Sequence, residues 1–228
     1  MDSSILIETS PKSIWKNRTG EKDLLTPLMG RNLMERTMDR IAPKGYEHIY
    51  IKNPFNYYKL LSLLDNGTPW GVNLSNFNEK ADHHNLNIIR PNWINAQNIF
   101  EDLKTILCDG GINYDMLPSW PIKPGVWTNR GAQIHPSVKF KPPVYIGENV
   151  TISEECTIGP FVSIEKESYL SEKITAKNSL IYPNTFCSNS LNIQNCLVDQ
   201  SNVYDLNRNV EYKVDKEIFN TVKTDLIA

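Results

Sequence analysis

The sequence predicts a small parallel α/β part followed by a parallel β-helix, and three observations predict this fold class. The first 125 residues alternate short apolar segments with segments of helical spacing, a proline-rich stretch lies around residue 120, and large aliphatic residues recur every six positions from Ile134 onward. A period of six fits neither an α-helix nor one long alternating strand. It fits short strands that form the walls of a prism with an aliphatic interior.

The amino-terminal elements are expected to form a β-α-β unit. Residues 4–7 predict a short apolar strand, residues 33–41 carry apolar side chains at helical spacing, and residues 48–51 predict a second strand. A strand, a helix and a further strand in this order indicate a small parallel sheet. Another helix is expected over residues 99–107, with a turn beginning at Asp109.

The six-residue ladder predicts the β-helix. Its rungs are Ile134, Phe140, Ile146, Ile152, Ile158, Ile164 and Leu170. Four residues after each rung comes a companion that is small or β-branched in most turns: Val138, Val144, Val150, Cys156, Val162, Ser168 and Ile174. After Leu170 the ladder slips by one residue and resumes at Ile181, Cys187 and Ile193, with companions Thr185, Leu191, Leu197 and Val203. The charged residues 165–177 are expected to bulge out as a loop at this slip.

These patterns divide the chain into an α/β domain over residues 1–116, a proline-rich connector over 117–133, a β-helix over 134–204 and a carboxy-terminal cap over 205–228. Within the cap we expect a strand near residues 209–214 and a short helix near 215–226. Such a cap would cover the open end of the prism, where strand edges are otherwise unpaired.

Composition excludes several classes of function. The net charge of −2 and the pI near 6.1 argue against a nucleic-acid-binding surface, which normally carries a basic excess. Apolar runs are too short to cross a bilayer, and the first residues lack the pattern of a secretory signal. We therefore expect a cytoplasmic protein without membrane insertion.

The cysteines and histidines do not predict a metal site. Cys108, Cys156, Cys187 and Cys196 show no C-x-x-C spacing and are expected to be buried as small apolar residues. The histidines are not spaced with them as zinc ligands would be. We expect His83 and His84 to face solvent. Trp93, Trp120 and Trp127 flank the connector and are expected to pack the amino-terminal domain onto the first turn of the β-helix.

The stretch I-G-E-N-V-T at residues 146–151, followed by I-S-E-E-C-T and I-G-P-F-V-S, resembles the hexapeptide repeat of left-handed β-helix proteins. The resemblance implies a left-handed coil. It also invites a comparison of His135, in Q-I-H-P-S-V, with the general base of hexapeptide acyltransferases. The favoured alternative is that His135 and Pro136 simply start the first turn of the coil.

A second resemblance concerns the amino-terminal part. Residues 23–41, D-L-L-T-P-L-M-G-R-N-L-M-E-R-T-M-D-R-I, look like a segment and helix of sugar-1-phosphate nucleotidyltransferases, and D-N-G-T-P-W-G-V-N-L at residues 65–74 resembles the strand beside their sugar site. Enzymes of this family often carry a left-handed β-helix as a second domain. The resemblance implies that Trp70 and Gly71 are the candidates for a sugar contact.

The chain also departs from that family. The glycine-rich phosphate loop after the first strand is replaced by E-T-S-P-K-S-I-W-K-N-R-T-G, whose bulky residues prevent a close backbone cradle. Lys12, Arg18 and Lys22 remain as candidates for phosphate binding. The aspartate that would hold Mg²⁺ has no counterpart in the sequence. We therefore expect a reduced nucleotidyltransferase-like domain with no certain cofactor, and Mg²⁺ only if activity survives.

Three functions follow as hypotheses. The favoured one is a nucleotidyltransferase-like protein of bacterial exopolysaccharide synthesis that binds a sugar nucleotide or organises a partner glycosyltransferase. The second is an active, Mg²⁺-dependent sugar-1-phosphate nucleotidyltransferase, and the third is an acyltransferase that acts on a sugar through His135. In each case the flat faces of a short prism favour a homo-oligomer.

Overall fold

The computed structural model describes residues 4–9, 25, 27–52, 57–78, 86–89, 96–108, 120–215 and 218–221. The chain groups into two compact units, one of residues 1–26 and 31–95 and the other of residues 27–30 and 96–228. We call them the α/β unit and the coil unit. The domain boundaries predicted from the sequence stay a prediction.

The α/β unit contains a four-stranded sheet in which every pairing is parallel. In spatial order its strands are Asn73–Asn76, His48–Lys52, Ser4–Glu8 and Asn87–Ile89. The predicted strands at residues 4–7 and 48–51 and their parallel pairing are confirmed. Ile5, Leu6 and Ile7 are all buried, as expected for a central parallel strand that is covered on both faces.

The described part of this unit contains the helices α1, Leu33–Ile41, and α2, Tyr57–Leu63, with 3₁₀ turns at Ala42–Lys44 and Asp65–Trp70. Helix α1 was predicted, and its start has a physical cause. The Asn32 side chain accepts a hydrogen bond from the Glu35 N–H at 2.8 Å, and the Glu35 carboxylate accepts one from the Asn32 N–H at 2.7 Å. This reciprocal cap satisfies two amides that a helix start leaves without partners.

The coil unit contains three sheets that the chain visits in rotation, an arrangement compatible with a parallel β-helix. The wide face consists of Trp120–Lys123, Val126–Thr128, Val144–Ile146, Val162–Ile164, Ser179–Ile181, Cys196–Asp199, Asn202–Asp205 and Val210–Lys213. The aromatic face consists of Gln133–Ile134, Thr151–Ile152, Tyr169–Leu170, Thr185–Cys187 and Phe219–Thr221. The polar face consists of Lys139–Phe140, Thr157–Ile158, Thr175–Lys177 and Asn192–Gln194.

The ladder residues fill the interior of the coil. One continuous buried cluster runs from Val126 through Ile146, Ile152, Ile158 and Ile164 to Val198. Val144 pairs with Val126 and with Val162, so each of these turns takes eighteen residues. The prediction of stacked short strands around an aliphatic interior is confirmed.

Most corners of the coil share one backbone conformation. From Asn149 onward, residues with φ near +55° stand at the corners, among them Asn149, Phe161, Glu167 and Asn184. Side chains in this region cost free energy, on the order of 1–2 kcal/mol each. Most of these corner N–H groups donate a hydrogen bond to a carbonyl one turn earlier, for example Asn149 to Arg130 at 3.0 Å. These bonds link the turns at the places where the strands end.

The expected loop over residues 165–177 is wrong. Tyr169–Leu170 and Thr175–Lys177 are strands of the coil, and Glu165 is buried. The slip lies later, because Ala176 fills the interior after Leu170 and the next corner is one residue shorter. Val162 pairs with Ser179, a spacing of seventeen residues.

Asparagines make the two shortened corners. Asn178 and Asn195 have φ of 47° and 53°, a conformation that asparagine tolerates well. Their side chains are joined, because the Asn178 amide nitrogen donates to the Asn195 side-chain oxygen at 3.0 Å. This hydrogen bond joins successive corners where a turn takes seventeen residues and not eighteen, so the shortened turns stay in contact.

Antiparallel strands close both ends of the wide face. Trp120–Lys123 pairs with the first strand of the coil, and Asn202–Asp205 and Val210–Lys213 form a meander after the last strand. The predicted strand near residues 209–214 is therefore confirmed. The helix expected near residues 215–226 is wrong where the structure describes it, since Phe219–Thr221 is a strand antiparallel to Thr185–Cys187.

The wide face is buried on its outer side as well. Its outward column consists of Trp127, Tyr145, Ser163, Leu180 and Leu197, and none of these residues is more than 7% exposed. The same unit contains helix α3, Ala96–Cys108, which confirms the helix expected at residues 99–107. Gln97 of α3 donates to the Leu206 carbonyl at 3.2 Å. No helix among the described residues is long and apolar enough to cross a bilayer.

Neighbouring residues of one strand test the coil interior. We expect Ile158→Ala to lower the free energy of unfolding by about 2–5 kcal/mol, because it leaves a cavity in the buried cluster. Thr157→Ala, one residue earlier and facing outward, should cost less than about 1 kcal/mol. Urea denaturation of both variants is the measurement. Equal losses would contradict the assignment of inward and outward positions.

Candidate functional site

Most of the basic candidates lie outside the described residues. This holds for Lys12, Arg18 and Lys22, which the sequence singles out for phosphate binding. It also holds for His83, His84, Trp93 and Asp109. Their predicted roles stay predictions.

Trp70 belongs to a polar cluster in the α/β unit. Its indole N–H donates to the Asp39 carboxylate at 2.8 Å, and the Arg31 guanidinium pairs with the same carboxylate oxygen at 3.2 Å. The guanidinium carbon of Arg31 also lies 5.8 Å from the centroid of the Trp70 ring. Helix α1 supplies Asp39, and the 3₁₀ turn that ends at Trp70 supplies the indole. The polar edge and one face of the ring are therefore already engaged within the unit.

The segment around Trp70 contains several residues in the left-handed region. Asp65, Asn66, Gly67 and Gly71 all have positive φ. Gly67 has no room for a side chain, because a Cβ there would meet the Val72 carbonyl oxygen. A Cβ at Gly71 would meet open space, and Gly71 is exposed. Of the two sugar-contact candidates, Gly71 is exposed, whereas the Trp70 indole already has polar partners within the unit.

A buried carboxylate in the coil unit was missed by the sequence analysis. Glu165 is 1% exposed and accepts hydrogen bonds from the backbone N–H groups of Met29 at 2.7 Å and Gly30 at 3.0 Å. The Ser163 hydroxyl donates to the same carboxylate at 2.7 Å. The sequence does not indicate this contact, because the charged residues around Glu165 predict an exposed loop.

The geometry at Met29 and Gly30 is that of an anion site. Both residues have positive φ, 55° and 76°, so their successive N–H groups point toward one acceptor. Successive amides in a turn of this kind form a concavity that binds anions such as phosphate. Here the Glu165 carboxylate is the anion. The segment resembling the nucleotidyltransferase motif thus has two of its amides occupied by a side chain of the same unit.

His135 lies in a surface groove of about 500 Å³ at the corner after the aromatic face. The groove is lined by Gln133, Ile134, His135, Pro136, Thr151, Ile152, Ser153, Glu154 and Glu172. The imidazole is exposed, and Ser153 is held by a hydrogen bond from its hydroxyl to the Tyr169 hydroxyl at 3.2 Å. An exposed imidazole beside hydroxyl and carboxylate groups can exchange hydrogen bonds or protons with a ligand.

Hydrogen bonds decide which imidazole nitrogen is available. The Ser137 N–H donates to His135 Nδ1 at 3.3 Å, and the Ser137 hydroxyl lies 2.8 Å from the same nitrogen. Ser137 Oγ accepts from the Glu155 N–H at 2.8 Å, so the serine replaces the carbonyl that serves the later corners. With Nδ1 as the acceptor, the neutral ring carries its proton on Nε2. That tautomer presents a donor, whereas a general base must present an acceptor.

The cysteines follow the expectation only in part. Cys156 and Cys187 are buried and Cys196 is half-buried, but Cys108 is exposed, so its predicted burial is wrong. Burial raises the pKa of the Cys187 thiol, and burial raises that of Cys196 to about 11. These two thiols stay protonated at neutral pH, which makes them poor nucleophiles. Among the described residues, no group of three His, Cys, Asp or Glu side chains is arranged to hold a metal ion.

Removal of the Glu165 carboxylate tests its contribution to the coil unit. Glu165→Ala leaves three donors, two of them buried, without their acceptor, so we expect the free energy of unfolding to fall by about 2 kcal/mol. The Met29 and Gly30 amides should also exchange faster with deuterium. Glu148→Ala, an exposed glutamate of the coil, is the control and should change stability by less than about 0.5 kcal/mol. Unchanged exchange at Met29 and Gly30 would contradict the described bonds.

The His135 tautomer is directly measurable. We expect long-range ¹⁵N–¹H spectra at alkaline pH to show the proton on Nε2. Ser137→Ala, which removes the hydroxyl but keeps the backbone, should move the Nδ1 resonance more than Ser153→Ala does. A proton on Nδ1 would restore the geometry that a general base needs, and the acyltransferase hypothesis would gain support.

The comparisons with known proteins add no assignment. No protein-family model matches the chain, and a search of the curated proteins returns no match.

Proposed function

We propose that this chain is a nucleotidyltransferase-like protein of bacterial surface-polysaccharide assembly that binds a sugar nucleotide or organises a partner, without transferring nucleotides itself. The single observation that carries the loss of transfer is the Glu165 carboxylate on the Met29 and Gly30 amides. An anion-binding turn that is filled from within cannot accept a phosphate at the same time.

The order of the two units supports the family part of the proposal. A parallel sheet with helices is followed by stacked short strands compatible with a β-helix, as in the nucleotidyltransferases that the sequence resembles. On this proposal the coil is the left-handed form. Fold likeness alone does not carry function, so the site observations are needed as well.

The engaged state of Trp70 supports binding over catalysis. Its indole N–H and one ring face are occupied by Asp39 and Arg31, which fix the ring at the surface of the α/β unit. A fixed, half-buried aromatic ring with an exposed glycine beside it can hold a sugar without moving. The proposed partners are a second copy of the chain and a glycosyltransferase.

Binding without turnover is the expected result of a ligand screen. Sugar nucleotides should raise the melting temperature, since a ligand at about 100 times its Kd adds about 2.7 kcal/mol of stability. Mixtures of nucleoside triphosphates, sugar 1-phosphates and Mg²⁺ should release no pyrophosphate above the blank.

The variant that tests the proposed sugar contact is Trp70→Ala, which should reduce the thermal shift if the sugar lies on the ring. Protein-dependent release of pyrophosphate would instead support the active nucleotidyltransferase. The absence of any thermal shift across the panel would remove the sugar-nucleotide part of the proposal.

A further inference from the structure

We propose that the groove at His135 is a binding site for a glycan that carries free amines, separate from the sugar-nucleotide site proposed above. The groove lies within the coil unit and is built only from coil residues. Its occupant is therefore independent of whether the α/β unit binds a nucleotide.

The lining of the groove offers both the apolar and the polar contacts that a sugar ring can make. Ile134 and Pro136 supply apolar contact, and a pyranose offers its C–H groups to such a surface. Gln133, Thr151 and Ser153 add an amide and two hydroxyls around them. The Gln133 amide and the Thr151 hydroxyl can both donate and accept hydrogen bonds, and the Ser153 hydroxyl, whose proton is donated to Tyr169, can accept one.

The negative charge of the groove favours a ligand with protonated amines. Glu154 and Glu172 are exposed, lie eighteen residues apart and occupy equivalent corners of successive turns. Equivalent positions of neighbouring strands are about 4.8 Å apart. The nearest lysine in sequence, Lys173, pairs with Glu155 at 4.0 Å. The groove therefore offers two adjacent carboxylates, which repel a nucleotide diphosphate and attract protonated amines.

His135 fits the same ligand. With Nδ1 accepting hydrogen bonds from Ser137, its Nε2–H is directed away from that contact as a donor. A sugar hydroxyl or ring oxygen can accept this hydrogen bond. The hydrogen bond of Ser153 to Tyr169 fixes a hydroxyl at the same rim, so the ligand meets groups that are already ordered.

The test uses the full chain and the β-1,4-linked tetramer of glucosamine, titrated by calorimetry at about pH 6, where glutamates are ionised. We expect binding of this tetramer, and binding at least about fivefold weaker for the N-acetylated tetramer, which has the same hydroxyls without the charges. The double variant Glu154→Gln, Glu172→Gln should weaken binding of the amine form about fivefold or more. The matched control, Glu148→Gln, changes an exposed glutamate at another corner and should leave binding unchanged.

Three results would overturn the proposal. Equal affinity for both tetramers would remove the role of the amines, and equal weakening by Glu148→Gln would indicate attraction by overall charge. Tetralysine binding as tightly as the glucosamine tetramer would assign the groove to basic peptides. Because no nucleotide is used, failure here leaves the sugar-nucleotide screen unaffected, and the groove variants should retain any thermal shift found there.

Discussion

The coil depends on one repeated interaction, the hydrogen bond from a corner N–H to the corner carbonyl one turn earlier. Strands of two or three residues bury too little to hold a corner in the left-handed region by themselves. The corner bonds offset that backbone cost and keep the turns in register. Each register then places one aliphatic side chain above another in the interior. Remove the corner bonds, and the interior column loses its alignment.

The same interaction explains the irregular places in the coil. At the second corner, the carbonyl acceptor for Glu155 is replaced by the Ser137 hydroxyl, and this substitution draws His135 into the bond network. At the shortened corners, Asn178 and Asn195 still donate their backbone N–H groups to the previous turn. The candidate groove therefore lies where Ser137 completes the second corner.

Sequence reasoning succeeded where a pattern repeats and failed where it changes once. Ile146, Ile152, Ile158 and Ile164 recur at a fixed spacing, so their inward positions follow from periodicity. Ala176 does not look like a ladder residue, because its side chain is small, so the sequence predicts the slip too early. The sequence predicts a loop at Glu165 because charge predicts exposure, while its two backbone donors, Met29 and Gly30, lie 136 and 135 residues away. Such long-range contacts leave no local signal.

The buried outer side of the wide face makes the repeat unequal. Tyr145 and Thr157 each come directly before a ladder residue, Ile146 and Ile158. Tyr145 is fully buried, whereas Thr157 is half-buried on the polar face. Averaging the turns into a consensus would thus erase the information that distinguishes the faces. Substitutions at outward positions should be tolerated on the polar face and restricted on the wide face. The coil therefore repeats in its backbone but not in its outward side chains.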